Sequence, residues 1–189
     1  MSTYISKEKC DIKKDSKKEQ DCAKCQPKHS LPKKILFECG IPGSSITFTS
    51  AGQSSVVSST SIDTTCLRKP NIKVEFSSIV TFDAVIGSTP PLVTRLKFEL
   101  VKICDNRQEL ICDTHMYERF FAETGNIGTP FILSDSFTFV FCECNAFPGC
   151  CEYFVRVTAD AISIDTVTMQ NNVTATVSNG RMGVFASEC

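Results

Sequence analysis

The sequence predicts an all-β fold: a single antiparallel β-sandwich with jelly-roll or Greek-key winding, preceded by a flexible N-terminal arm. Three observations predict it. From Lys34 onward, apolar residues recur mainly at period two, the signature of strands with one buried face. Val, Ile, Thr and Phe dominate these segments, and no stretch has helical periodicity. Gly, Pro, Asn and Asp turn signals recur every 8–15 residues, the rhythm of a sandwich.

Residues 1–33 stand apart. Ile5, Ile12 and Leu31 are isolated among charges, and Pro27 and Pro32 bracket the exit. Such a composition cannot bury enough apolar surface to order itself. This arm holds nine lysines against five acidic residues, a surplus of four positive charges; the whole chain is at −1, so residues 34–189 carry −5. A basic arm on an acidic body suits docking on neighbouring bodies, a nucleic-acid tail or a plain solvated tether. Of these, docking on other copies is the expectation adopted, with no nucleic acid as partner.

The body, 34–189, is expected to be one domain. Ile35-Leu36-Phe37-Glu38-Cys39 is a short apolar run ending at Gly40, and Pro42-Gly43 is a turn signal. Ser45–Thr49 alternates and is broken by Gly52; residues 54–64 are strong β formers. Asn71–Val85 reads as a strand with Val74, Phe76, Ile79 and Phe82 facing the core. The three-residue step from Phe76 to Ile79 predicts a bulge at Ser77-Ser78. After a loop at Gly87–Pro91, Leu92–Cys104 places Leu92, Leu96, Phe98 and Leu100 on one face and Arg95, Lys97 and Glu99 on the other. Asp105-Asn106-Arg107 turns the chain into a returning strand, 109–121, and Gly125–Pro130 is a second loop. Segments 131–144 and 151–164 read as a β-hairpin with a thiol-rich tip. Segments 166–178 and Arg181–Ala186 read as a hairpin about Asn179-Gly180, a favoured two-residue turn.

The composition argues against several functions. No run of 18 apolar residues offers a membrane span, and the lysine-rich start does not resemble a secretory signal peptide. There are two histidines, His29 and His115, and no tryptophan; G-x-S-x-G, H-E-x-x-H and P-loop motifs are absent. A strand His such as His115 is usually packed or simply exposed. The expectation is therefore no enzyme and no cofactor.

Twelve cysteines are the outstanding feature. Cys142, Cys144, Cys150 and Cys151 crowd the tip; Cys10, Cys22 and Cys25 sit on the arm; Cys189 is the last residue given. Adjacent Cys150 and Cys151 point to opposite faces of a strand and bridge each other only through a strained ring. Cys142 and Cys144 share a face. Cys25 precedes Lys34 by nine residues and reaches about 30 Å, whereas Cys10 reaches about 80 Å. The body has a radius of gyration of about 15 Å, so Cys10 passes beyond an adjacent subunit. These eight thiols are the candidates for intersubunit disulfides. Cys39, Cys66, Cys104 and Cys112, in or beside strands, are candidates for core positions or intradomain bridges, Cys104 and Cys112 across their hairpin. A zinc-binding or partner-binding β-sandwich module is the alternative, zinc being held by Cys22, Cys25 and His29 or by the four tip thiols, although C-x-C-x5-C-C departs from paired C-x2-C knuckles.

Lys34–Gly40, the run from Ile62-Asp63-Thr64-Thr65-Cys66 through Phe76–Val80, Phe141–Val155 and Asn179–Met182 together resemble an uncharacterised Cys-rich all-β domain family of spore-forming anaerobic Firmicutes. That resemblance supplies no activity. In layout alone (Cys-bearing arm, all-β body) the chain is similar to the endospore appendage subunits of bacilli. These are jelly-roll domains whose N-terminal connector crosslinks subunits into stable fibres. The likeness implies a self-assembling subunit that meets copies of itself through β-sheet contacts and disulfides. It also implies a place on the spore surface or outside the cell, reached by mother-cell lysis, which reconciles abundant thiols with the missing signal peptide.

Overall fold

The computed structural model describes residues 34–85, 92–105, 108–121, 130–162 and 172–188. They form ten strands: β1 (Ile35–Cys39), β2 (Ile41–Pro42), β3 (Ile46–Phe48), β4 (Ser54–Asp63), β5 (Pro70–Val85), β6 (Leu92–Cys104), β7 (Leu110–Phe121), β8 (Pro130–Glu143), β9 (Cys150–Ile162) and β10 (Asn172–Glu188). No helix occurs among the described residues.

The first sheet runs β1-β10-β5-β8, with β3 also beside β10; the second runs β2-β4-β9-β6-β7. Every pairing is antiparallel, and the pairs are nested: β6 with β7, β5 with β8, β4 with β9, β1 with β10. The chain is thus one long hairpin, turned at β6–β7 and rolled up. The roll closes when β10 also meets β5 and β9 also meets β6. This is a jelly roll.

The core lies between the sheets. Phe76 and Phe82 from the first face Phe98, Leu96 and Leu100 from the second, all essentially buried. Phe98 stacks on Phe137 with centroids 4.1 Å apart and meets Phe76 at 6.2 Å. Burying such a ring contributes roughly 1.5–3 kcal/mol. The side between edge strands β7 and β8 is closed by rings and an ionic link: His115 stacks on Phe139 at 4.6 Å, while Tyr117 and Arg119 both donate to Asp135.

Three local expectations are corrected. Asn179-Gly180 is not a hairpin turn, because β10 continues through it. The register against β5 jumps there, from Ser178 opposite Ile79 to Arg181 opposite Ser77, and Asn179 has φ 53°. It is a bulge, and glycine is required by crowding: a Cβ on Gly180 would lie 2.3 Å from the Val57 carbonyl oxygen. Gly43, on the same carbonyl, donates its N–H to it at 3.1 Å, and a Cβ there would approach within 2.0 Å. Second, β5 itself has no bulge at Ser77-Ser78. It alternates throughout, so Ser78 is buried and Ile79 faces outward at 38% exposure. The extra residue belongs to β10, opposite Ser78. Third, β8 and β9 do not form a hairpin: β8 pairs with β5 and β9 with β4 and β6, so the segment between them crosses from one sheet to the other. The expected loop at Gly87–Pro91 and residues 125–129 of the second expected loop lie outside the described residues.

Candidate functional site: thiols of the arch and the outer faces

The arch between β8 and β9 is stitched to three other segments. The Ala146 N–H donates to the Pro70 carbonyl at 2.8 Å, and the Asn145 N–H to Asn71 Oδ1 at 3.2 Å. Thr64 donates from its N–H and from Oγ1 to the Gly149 carbonyl, and the Gly149 N–H donates back to Thr64 Oγ1. The Asp105 N–H donates to the Cys150 carbonyl at 3.0 Å. Buried backbone groups are thereby satisfied without a hairpin. Phe147 at the crest is 90% exposed.

Beneath the arch, Cys104 of β6 is bonded to Cys151 of β9. The two are register partners with Cα atoms 4.1 Å apart. This corrects two expectations. Cys151 is committed inside its own domain and is not an intersubunit thiol, and Cys104 does not bridge to Cys112, which stays free. Beside the disulfide, Lys102 Nζ donates to Glu143 Oε2 at 2.7 Å, joining the second sheet to the last residue of β8. Lys102 also lies 5.7 Å from the Tyr153 ring centre. Burial pushes both the Tyr153 hydroxyl and the Cys112 thiol up, the latter to about 11.

Alternation sends Cys150 the other way from Cys151, to the outer face of the second sheet, where it is exposed. Cys142 and Cys144 are exposed as well, but Cys142 projects from the outer face of the first sheet, on the far side of the sandwich. The four tip thiols therefore do not converge. Among the described residues no group of three or more His, Cys, Asp or Glu side chains could hold a metal ion, so the tip quartet is not a zinc site. Cys10, Cys22, Cys25, His29 and Cys189 lie outside the described residues.

The outer face of the first sheet also holds Cys39, which is neither in the core nor in an intradomain bridge, the two places its sequence position suggests. Cys39 is exposed in β1, opposite Gly183, in the row that runs through Glu75 to Val140. The next row is Phe37, Phe185, Lys73 and Cys142. Phe37 and Phe185 meet as a tilted pair with centroids 4.5 Å apart, their edges over Gly183, where a Cβ would meet Phe37 at 3.3 Å. On one side of this aromatic pair is a groove of about 430 Å³ lined by Cys39, Val140 and Arg181; on the other, one of similar volume is lined by Ile35, Lys73, Cys142 and Cys144. The alternation of Ile35-Leu36-Phe37-Glu38-Cys39 held the signal for Cys39: Leu36 packs on the core, so Ile35, Phe37 and Cys39 face out.

Cys66 lies elsewhere, in the turn before β5, 3.1 Å from Lys34 Nζ. His115 is bonded to Asp113 at 3.1 Å and packed on Phe139, a setting that is structural.

Among solved structures, the chain is similar to the Gx strain of infectious bursal disease virus, at 10% identity and a TM-score of 0.37, covering 82% of this chain and 32% of that one. It is also similar to the VP2 subviral particle of infectious bursal disease virus, at 9% identity and a TM-score of 0.32, covering 89% and 41%. The chain thus spans less than half the length of either, and likenesses this loose say nothing of function. No curated protein matches it. A sequence family does match residues 33–179, most of the chain: the protein belongs to DUF4489, a domain of unknown function.

Proposed function

We propose that this chain is a structural subunit that assembles with copies of itself into a disulfide-crosslinked fibre, residues 1–33 of one copy bonding to the body of another. The fibre belongs on the spore surface or outside the cell. One observation carries the reading: Cys39, Cys142 and Cys144 are free, exposed and gathered on one outer face, beside two open grooves of about 430 Å³ each.

Spacing supports it. Cys142 and Cys144 are about 7 Å apart along the strand direction, and Cys39 lies about 16 Å from Cys142 across three strand intervals. In an extended segment Cys22 and Cys25 stand at most about 10 Å apart, which fits the first pair. Cys10, twelve residues earlier, spans the distance to Cys39 with slack. Charge agrees, since the segment 1–33 is basic and the body acidic. Between subunits such bonds act mainly kinetically: the polymer cannot come apart without a reductant.

The test is non-reducing electrophoresis with negative-stain microscopy of purified protein after air oxidation. A ladder that collapses with dithiothreitol, together with filaments, is expected. A protein that stays monomeric by light scattering and runs as a single unreduced band would refute the proposal.

A further inference from the structure

β7 and β8 end the two sheets on the same side of the sandwich, and they guard their open edges differently. An edge strand shows a row of unpaired N–H and C=O groups to any strand that can lie beside it. β7 blunts its edge with Asp113, Glu118 and Arg119 and with a bulge at Cys112, where the register jumps from Asp113 opposite Leu100 to Ile111 opposite Val101. β8 has no bulge. Its register against β5 is unbroken from Pro130 to Glu143, and among the described residues no strand pairs with its other side. Its one charged residue before Glu143 is Asp135, and that carboxylate is held by Tyr117 and Arg119 of β7. The run Ser136–Cys142 has no charge, proline or glycine, the composition of a strand that adds readily to another.

The order of side chains along β8 says which strand fits. Alternation puts Ile132, Ser134, Ser136, Thr138 and Val140 on the outer face, all of them exposed. From either end the series reads apolar, hydroxyl, hydroxyl, hydroxyl, apolar, with Ile132 at 71% exposure and Val140 at 55%. Such self-complementarity is what a twofold contact between identical copies requires. We infer that β8 pairs antiparallel with β8 of a second copy about a twofold axis at Ser136. Ile132 then lies opposite Val140 of the second copy, and Ser134 opposite its Thr138. The row Thr47, Thr176, Thr81 and Ser134, which already carries hydroxyl hydrogen bonds of 2.8 and 2.9 Å, continues into that Thr138. Residues 130–142 overlap, enough for about twelve backbone hydrogen bonds. The two first sheets become one, and their outer faces, each with Cys39, Cys142 and Cys144, form a single surface. The pairing uses no thiol and does not rest on the fibre reading.

The test is sedimentation velocity of the full chain in dithiothreitol, where disulfides play no part. A dimer is expected. Ile132→Lys combined with Val140→Lys sets like charges directly opposite one another, twice across the axis. That variant should be monomeric at a concentration where the unsubstituted chain is dimeric. Both positions are exposed in the single chain, so the far-ultraviolet spectrum should stay that of a β protein. Ile132→Glu combined with Val140→Glu should also be monomeric, and an equimolar mixture of the lysine and glutamate chains should dimerise. An unsubstituted chain that stays monomeric would leave the edge to another occupant and overturn the inference. So would a lysine variant that still dimerises. A mixture that stays monomeric would overturn it too, because the copies would then meet elsewhere or in another register. A ladder on oxidation without a dimer in reductant upholds the fibre reading and sinks this one, and a dimer without a ladder does the reverse.

Discussion

The outer faces of the two sheets are made by the same period-two pattern, yet they leave different chemistry unsatisfied. On the second sheet, Arg95 pairs with Glu118, Lys97 with Glu99, and Arg156 with both Glu99 and Glu109. Its charges are largely answered within the chain, and its free exposed thiol is Cys150. On the first sheet, among the described residues, the outer-face ion pair is Lys73 with Glu75, at 2.5 Å. One half of that face carries hydroxyls in register, Thr47, Thr176, Thr81 and Ser134, with bonds of 2.8 and 2.9 Å between neighbours. The other half carries Phe37, Phe185, Cys39, Cys142 and Cys144. Both faces expose apolar side chains, Ile41 and Met116 on one, Ile35 and Val140 on the other, so apolarity does not separate them. What does is covalent capacity: among the described residues, three free exposed thiols on one face against one on the other.

Removing the thiols of one face at a time has the largest expected effect. Replacing Cys39, Cys142 and Cys144 together by serine should abolish the unreduced ladder, while Cys150→Ser should leave most of it. Equal losses from both variants would show that the faces do not differ in function.

The disulfide inside the second sheet gives the next largest effect. Replacing Cys104 and Cys151 by alanine opens a link across 47 residues and should cost roughly 3–4 kcal/mol in urea unfolding, with the ladder retained under folding conditions. Thiol accessibility sharpens the contrast further. At pH 8 the thiol of Cys112, raised to about 11 by burial, should alkylate far more slowly than Cys39, Cys142, Cys144 and Cys150. Mass spectrometry of timed quenches reads the order, and fast labelling of Cys112 would contradict its placement.

Two smaller effects remain. Glu99→Gln weakens two cation contacts on the second face and should cost about 1 kcal/mol, decreasing with salt, whereas Glu75→Gln on the first should be near neutral in the same denaturation assay. At the joined edges of β7 and β8, hydrogen bonds from Tyr117 and then Arg119 hold the Asp135 carboxyl below its usual range. A carboxyl lowered in the folded state stabilises above its unfolded value of 3.8, and that contribution disappears as pH falls through the lower, folded value. Asp135→Asn should therefore flatten the acid limb of the stability profile slightly, an effect small enough to need matched pH titrations.

Much of the roll was legible because alternation marks which residues face inward wherever a strand is buried on one side. Val74, Phe76, Phe82, Leu96, Phe98 and Leu100 behave as their spacing requires. What alternation does not encode is which sheet a strand joins. The turn residues Asn145 to Gly149 look the same whether the chain folds back on β8 or crosses to the other sheet. Asn179-Gly180 likewise carries turn chemistry, yet Gly180 answers to the Val57 carbonyl, far earlier in the chain. The thiol sites split along the same line. The opposed directions of Cys150 and Cys151 follow from adjacency alone. The bond from Cys151 to Cys104 and the gathering of Cys39 with Cys142 depend on non-local register.

The nested pairing of the roll sets an order of assembly on the ribosome. β10 is the spine of the first sheet, flanked by β1 and β3 on one side and by β5 on the other, and among the described strands it comes last in chain order. Until residues 172–188 emerge, β1 has no strand to hydrogen-bond to, and Cys39 and Cys142 belong to no common sheet. The outer face that carries both Cys39 and Cys142 exists only once β10 has paired on both sides, so on the fibre reading proposed above the receiving surface is completed after the strands that flank it.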